Sequence, residues 1–176
     1  FDLGGMLYGL TLANQWRVSV LVDEAHNMVS RARKMYSAEL DRAALRAART
    51  AAPPLVQKAL EKVGRCWTEL DRGVKAPYEV RPELPDKLLA ALQGAGTAIT
   101  DHLAENPGPM DPAMQRFYFD ALHFAKLAES FGAHPLFDVT RVDARTTQLC
   151  IRNIVPAPFL KPRFGVAHSS ALFSAT

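Results

Sequence analysis

The residues best suited to chemistry are an acidic pair at the end of a short apolar run. Val18-Ser19-Val20-Leu21-Val22 is β-branched and reads as a buried strand, and it delivers Asp23-Glu24-Ala25-His26-Asn27 at its C-terminal end. Adjacent carboxylates beyond a strand end can point to different sides of a phosphate. Asp23 is the candidate metal residue, because Mg²⁺ keeps several waters and takes few protein oxygens. Glu24 is then placed to orient or deprotonate an attacking water. The competing reading is an acidic strand-to-helix turn in which Asp23 caps a helix. A second candidate is the row Arg42, Arg46 and Arg49 at i, i+4 and i+7, one stripe of a helix expected over 37–51. As a rigid match the row fits the phosphate spacing of single-stranded DNA poorly, but long side chains can adapt, and such contacts would be sequence-independent and salt-sensitive. The competing reading is a solvated face with no partner. Leu40, Ala44, Ala47 and Ala51 are expected to fill the inward face.

The chain that must position these groups has 176 residues, the size of one domain, with 48% hydrophobic and 22% charged residues. No apolar run approaches the roughly 20 residues of a membrane span, and the N-terminus lacks the pattern of a signal peptide. Cys66 and Cys150 are too few for a disulfide scaffold or a four-thiolate centre. A cytoplasmic protein with reduced thiols is expected, and Cys150 reads as a buried structural thiol. The five histidines (His26, His102, His123, His134, His168) contain no HExxH pair. Net charge is +3, unevenly spread: residues 31–72 hold ten Lys/Arg against five Asp/Glu, and residues 76–131 hold four against eight. That asymmetry predicts one basic face. The chain runs from Phe1 to Thr176 and reads as a piece of a longer polypeptide.

The elements follow from periodicity and punctuation. A short helix is expected over 2–15, then the strand at 18–22. Residues 37–51 read as a helix capped by Ser37, and Pro53-Pro54 ends it and opens another. In that one Val56, Leu60, Val63, Trp67 and Leu70 recur at helical spacing. Residues 73–82 read as a Pro/Gly-broken connector. A third helix over 85–105 carries Leu88, Leu92, Ala95, Ile99 and Leu103. Asp111-Pro112 starts a fourth, with Met114, Phe117, Ala121, Phe124, Ala128 and Phe131 as core, closed by Gly132. Leu136–Arg141 and Thr146–Ile151 suggest a hairpin. Pro156, Pro158 and Pro162 break the next stretch. Ser170–Phe173 reads as a strand leading into Ser174-Ala175-Thr176. The fold class expected is α+β and mostly helical.

A strand ending in Asp-Glu is the Walker B arrangement of nucleotide hydrolases. Together with the terminal Ser174-Ala175-Thr176 (SAT) and the Asn after DEAH, the chain resembles the XPD/DinG group of superfamily 2 DNA helicases. Between His26 and Ser174 lie 147 residues, and helicases of this group carry a largely helical insertion there, the Arch domain. The resemblance implies a RecA-like core segment over 1–30, an Arch-type domain of about four helices over 31–134, and a hairpin and strand over 135–176 returning to the core. It implies Asp23 on Mg²⁺, Glu24 on the water, and His26 coupling the phosphate site to the nucleic-acid site through Ser174 and Thr176. The implied activity is ATP hydrolysis coupled to translocation on and unwinding of DNA, 5′ to 3′, in repair or replication. ATP and Mg²⁺ are the implied cofactors; a [4Fe-4S] cluster, where the full protein has one, takes ligands outside this chain. Single-stranded DNA and proteins docking on the Arch are the implied partners, with no membrane and, in a bacterium, association with the nucleoid. The sequence holds no GxxxxGK[ST] loop, so the chain alone is expected to be inactive. The alternative is a non-catalytic Arch-type DNA-binding or protein-interaction module of a degenerate helicase-like protein.

Overall fold

The computed structural model describes residues 6–132, 135–143 and 146–175. The chain divides into two compact units: Phe1–Tyr36 with Asn153–Thr176, and Ser37–Arg152. The fold is α+β and mostly helical. Among the described residues no helix is long and apolar enough to cross a membrane.

The unit over 37–152 is built on four helices, α3 (Arg42–Ala51), α4 (Pro54–Arg72), α5 (Asp86–Glu105) and α6 (Pro112–Ala128). Start signals in the sequence fix their beginnings. The Asp41 carboxylate accepts from the Ala43 amide at 2.7 Å, Pro54 opens α4, and Asp111 accepts from the amides of Ala113 and Met114. Their apolar stripes meet in one core. Val56, Leu60, Val63 and Trp67 of α4 are fully buried, as are Leu88, Leu92 and Ile99 of α5 and Phe117 and Phe124 of α6. Each such side chain contributes roughly 1.5–3 kcal/mol by leaving water. A four-stranded sheet in the order β2-β5-β4-β3 closes the core. Its strands are β2 (Ala38–Asp41), β3 (Tyr78–Arg81), β4 (Pro135–Arg141) and β5 (Thr147–Asn153). β2 pairs antiparallel with β5 and β3 antiparallel with β4, so Leu40 and Leu149 face each other on the core side.

Three segments depart from expectation. Ala38–Asp41 forms an edge strand, and α3 is capped by Asp41 instead of Ser37, because pairing with β5 buries Leu40 completely and outweighs a weak helical preference. The inward face of α3 is therefore Leu45 and Ala48, with Ala47 and Ala51 exposed. Tyr78–Arg81, expected as connector, is a strand between Pro77 and Pro82, an edge position where flanking prolines are tolerated. Ala157–Gly165, expected to be broken, is the helix α7, in which the first prolines occupy the turn that needs no amide donors. The hairpin of β4 and β5 is present, with its connector partly outside the described residues. It is flanked by β2 and β3, so it lies in the helical unit and not with the segment that carries the SAT residues.

A polar chain runs through this unit. The Trp67 indole donates to Thr147 Oγ1 at 2.8 Å, Thr147 Oγ1 donates to Asp71 at 2.8 Å, and Asp71 forms an ion pair with Arg42. Arg42 also donates to Thr68 Oγ1 at 2.7 Å. Burial and the like charge of Arg46 both act against the charged form of Arg42, so the carboxylate is what holds it there. Asp71→Asn keeps the acceptor for Thr147 but strands the guanidinium. The expected cost is about 2 kcal/mol in urea denaturation, below the ~3–5 kcal/mol of a fully buried pair, because both partners keep some water access. The two thiols differ in the same way. Burial, then the charge of Asp138, pushes the Cys150 thiol up to about 12, whereas Cys66 is half-exposed. Iodoacetamide near neutral pH is expected to alkylate Cys66 and to spare Cys150 until the protein is denatured, as read by peptide mass.

Candidate functional site

The unit formed by the two ends of the chain contains α1 (Met6–Ala13), β1 (Ser19–Val22), α2 (Met28–Met35), α7 and β6 (Ser169–Leu172). β1 and β6 pair in parallel, Ser19 opposite Ser169 through Val22 opposite Leu172. The pairing continues past the strand ends, with Phe173 N–H donating to Val22 C=O and Ala25 N–H to Phe173 C=O, each at 3.0 Å. Both strands therefore deliver their C-terminal ends to one place. In open sheets with parallel strands, that is where ligands bind.

There the structure brings together three of the expected residues. His26 Nδ1 lies 2.5 Å from Ser174 Oγ, and His26 Nε2 faces Glu24 Oε2 at 3.4 Å. A proton on Nε2 is what a facing carboxylate favours, which leaves Nδ1 to accept the Ser174 hydroxyl proton. Hydroxyl, imidazole and carboxylate thus form one chain from β6 to the acidic turn. Asp23 is bound differently, its Oδ1 accepting from the Glu24 amide at 2.7 Å. Thr176 lies outside the described residues.

Glu24 itself sits at φ 53°, ψ 46°, in the left-handed region that residues with a Cβ rarely adopt. A short 3₁₀ turn over Ala25–Asn27 follows and leads into α2. The sharp reversal aims the Glu24 side chain back toward His26 instead of along the strand axis. Strain of this kind persists where surrounding bonds over-determine it, here the Ala25–Phe173 and His26–Ser174 pairs.

The strand that carries the acidic turn is not buried as expected. Leu21 is 72% exposed, and Leu172 and Phe173 are each about half exposed. A two-stranded ribbon has no second layer to cover its outer face. For Mg²⁺, the donor set fits the ion's usual demand: one accessible carboxylate, with water and phosphate oxygens supplying the rest. Among the described residues no group of three or more His, Cys, Asp or Glu could hold a metal by itself. The sequence contains no amide-rich phosphate loop, and Cys66 and Cys150 cannot make a four-thiolate site.

The arginine stripe divides. Arg42 is committed to Asp71 and Thr68 within its own unit, whereas Arg46 and Arg49 line a groove between α3 and α4. The opposite wall carries Arg65 and Arg72, which sequence reasoning missed although they recur at i and i+7 on α4. Tyr36 is buried and stacks on Phe159, with ring centroids 4.3 Å apart.

No protein-family model matches this sequence, and no curated protein matches it either.

The backbone of Glu24 makes its own prediction. Glu24→Gly, which relieves the left-handed conformation, is expected to leave the melting temperature unchanged or raise it. Glu24→Val, β-branched in the same conformation, should lose about 1–2 kcal/mol. Thermal unfolding followed by near-ultraviolet circular dichroism separates the two.

Proposed function

We propose that this chain is the DEAH-to-SAT portion of an ATP-dependent DNA helicase of the XPD/DinG type, with an Arch-type helical unit inserted between the two motifs. The observation that carries the reading is the His26–Ser174 hydrogen bond across the carboxyl ends of two parallel strands. The motifs joined there are separated by 147 residues of sequence. The exposed leucines of β1 and β6 support it as well, because parallel strands are ordinarily covered on both faces.

In this reading Asp23 would hold Mg²⁺ through water, and the bound ion would supply charge neutralisation at the phosphates. Glu24, held toward the site by its left-handed backbone, orients and deprotonates the attacking water. His26 touches both the Glu24 carboxylate and the Ser174 hydroxyl, so a change in charge at the nucleotide moves a residue on the neighbouring strand. With Thr176, that contact relays nucleotide state to the DNA-binding surfaces. The triphosphate cradle, a second RecA-like domain and any iron–sulfur cluster belong to other parts of the polypeptide. Translocation is 5′ to 3′ along single-stranded DNA, in repair or replication.

Two substitutions in the polypeptide that joins this chain to a phosphate loop test the assignment. Glu24→Gln is expected to lower steady-state ATP hydrolysis by about 10²–10⁴-fold with nucleotide binding retained. Ser174→Ala should leave hydrolysis within a few fold of normal while strand separation is lost. Near-normal turnover in Glu24→Gln would remove Glu24 from the chemistry. If the unaltered polypeptide neither binds nor hydrolyses ATP, the reading as a non-catalytic Arch-type module takes its place. The lack of a GxxxxGK[ST] loop in these 176 residues is what keeps that module reading in play.

A further inference from the structure

The furrow between α3 and α4 is rich in arginine and has a volume of about 570 Å³. Arg46 and Arg49 stand on one wall and Arg65 and Arg72 on the other, against only Glu61 and Glu69. Arg42, at one end, is already neutralised by Asp71, and Glu69 is shared with Lys87 at 3.9 Å. Arg49, Arg65 and Arg72 form no ion pair or hydrogen bond among the described residues. Three guanidiniums line one groove with Glu61 and Glu69 as its only carboxylates, so its balance stays positive and an external anion relieves the repulsion.

The shape selects among anions. The furrow runs along two packed helices, so it offers an elongated track parallel to their axes. An extended chain fits. Arg65 and Arg72 are seven residues apart on α4, about 10 Å along the axis, so the charges are spread along the furrow instead of converging on one point. Guanidinium forks match phosphate oxygens two at a time. The lining contains no aromatic side chain, so bases have nothing to stack on and the backbone alone is held. At the floor, a Cβ built on Gly64 meets nothing within 4 Å, which leaves the middle of the furrow open.

From this arrangement we infer that the α3/α4 furrow binds the sugar-phosphate backbone of single-stranded nucleic acid, without base preference, through Arg49, Arg65 and Arg72. This deepens the helicase reading, on which it rests for the choice of nucleic acid over other extended polyanions. It differs from the arginine stripe of α3 in using both walls and in excluding Arg42.

The test is fluorescence anisotropy of a labelled oligothymidine of about 20 nucleotides with the 176-residue chain, at salt concentrations between about 50 and 200 mM. The triple variant Arg49→Gln, Arg65→Gln, Arg72→Gln should bind at least tenfold more weakly at the lowest salt. Its slope of log affinity against log salt should fall by about 2, as expected for three lost phosphate contacts on a single strand. Gly64→Leu fills the furrow while leaving every charge in place, and it favours the helix, so folding is not at risk. It should weaken binding by a similar factor, and an oligoadenosine should bind as the oligothymidine does. Unchanged affinity and slope in the triple variant, or full binding by Gly64→Leu, would overturn the inference. So would equal displacement of the oligonucleotide by polyglutamate. Failure here leaves the Glu24→Gln result untouched, and loss of ATP hydrolysis leaves this binding untouched, so the two proposals fail separately.

Discussion

The parallel pairing of β1 with β6 is the constraint on which the candidate site depends. It joins Val22 to a strand that begins at Ser169, and closing so long a flexible loop costs about 4 kcal/mol in chain entropy. Four residue pairs of exposed ribbon contribute little against that. The helical unit supplies what the ribbon lacks. Its first strand, β2, pairs with its last, β5, so that Ala38 lies opposite Ile151. Its entry and exit are therefore neighbours, and once it has folded only residues 23–37 and 154–168, which carry α2 and α7, remain to be closed.

That arrangement separates the tasks of the two units. The unit over 37–152 has a fully buried core of Trp67, Phe117, Phe124 and Phe137 with many aliphatic partners, and a polar chain from Trp67 to Arg42 that ties β5 to α4 and α3. The unit made by the chain ends carries the acidic turn, the imidazole relay and a strained Glu24, with exposed apolar side chains on α1, β1 and β6. Stability resides in the first and candidate chemistry in the second.

What could be read in the sequence follows from how local each signal is. The stripes of α4, α5 and α6 repeat every three or four residues and are bounded by Pro53, Asn106 and Asp111, so helix and face were visible. However, α6 ends at Ala128, before Phe131 and the expected stop at Gly132, and Leu127 takes the last buried place. Ala38–Asp41 and Tyr78–Arg81 become strands only because β5 and β4 lie beside them, and no window of sequence contains both partners. Arg42 looked like a member of a surface stripe because its partner Asp71 stands a full helix away. Of the relay, the types and positions of His26 and Ser174 were legible through motif resemblance. The left-handed turn at Glu24 was not, since no glycine or asparagine marks it.

The chain's two tryptophans are divided between the units. Trp67 is wholly enclosed, with its indole N–H hydrogen-bonded to a hydroxyl, whereas Trp16 is 53% exposed. An enclosed indole emits at shorter wavelength than one in water, so the native emission spectrum is a superposition of a blue component from one unit and a red component from the other. Collisional quenchers reach Trp16 and not Trp67. The protein thus carries a built-in optical label on each half, and the order in which the halves come apart can be followed without attaching a dye.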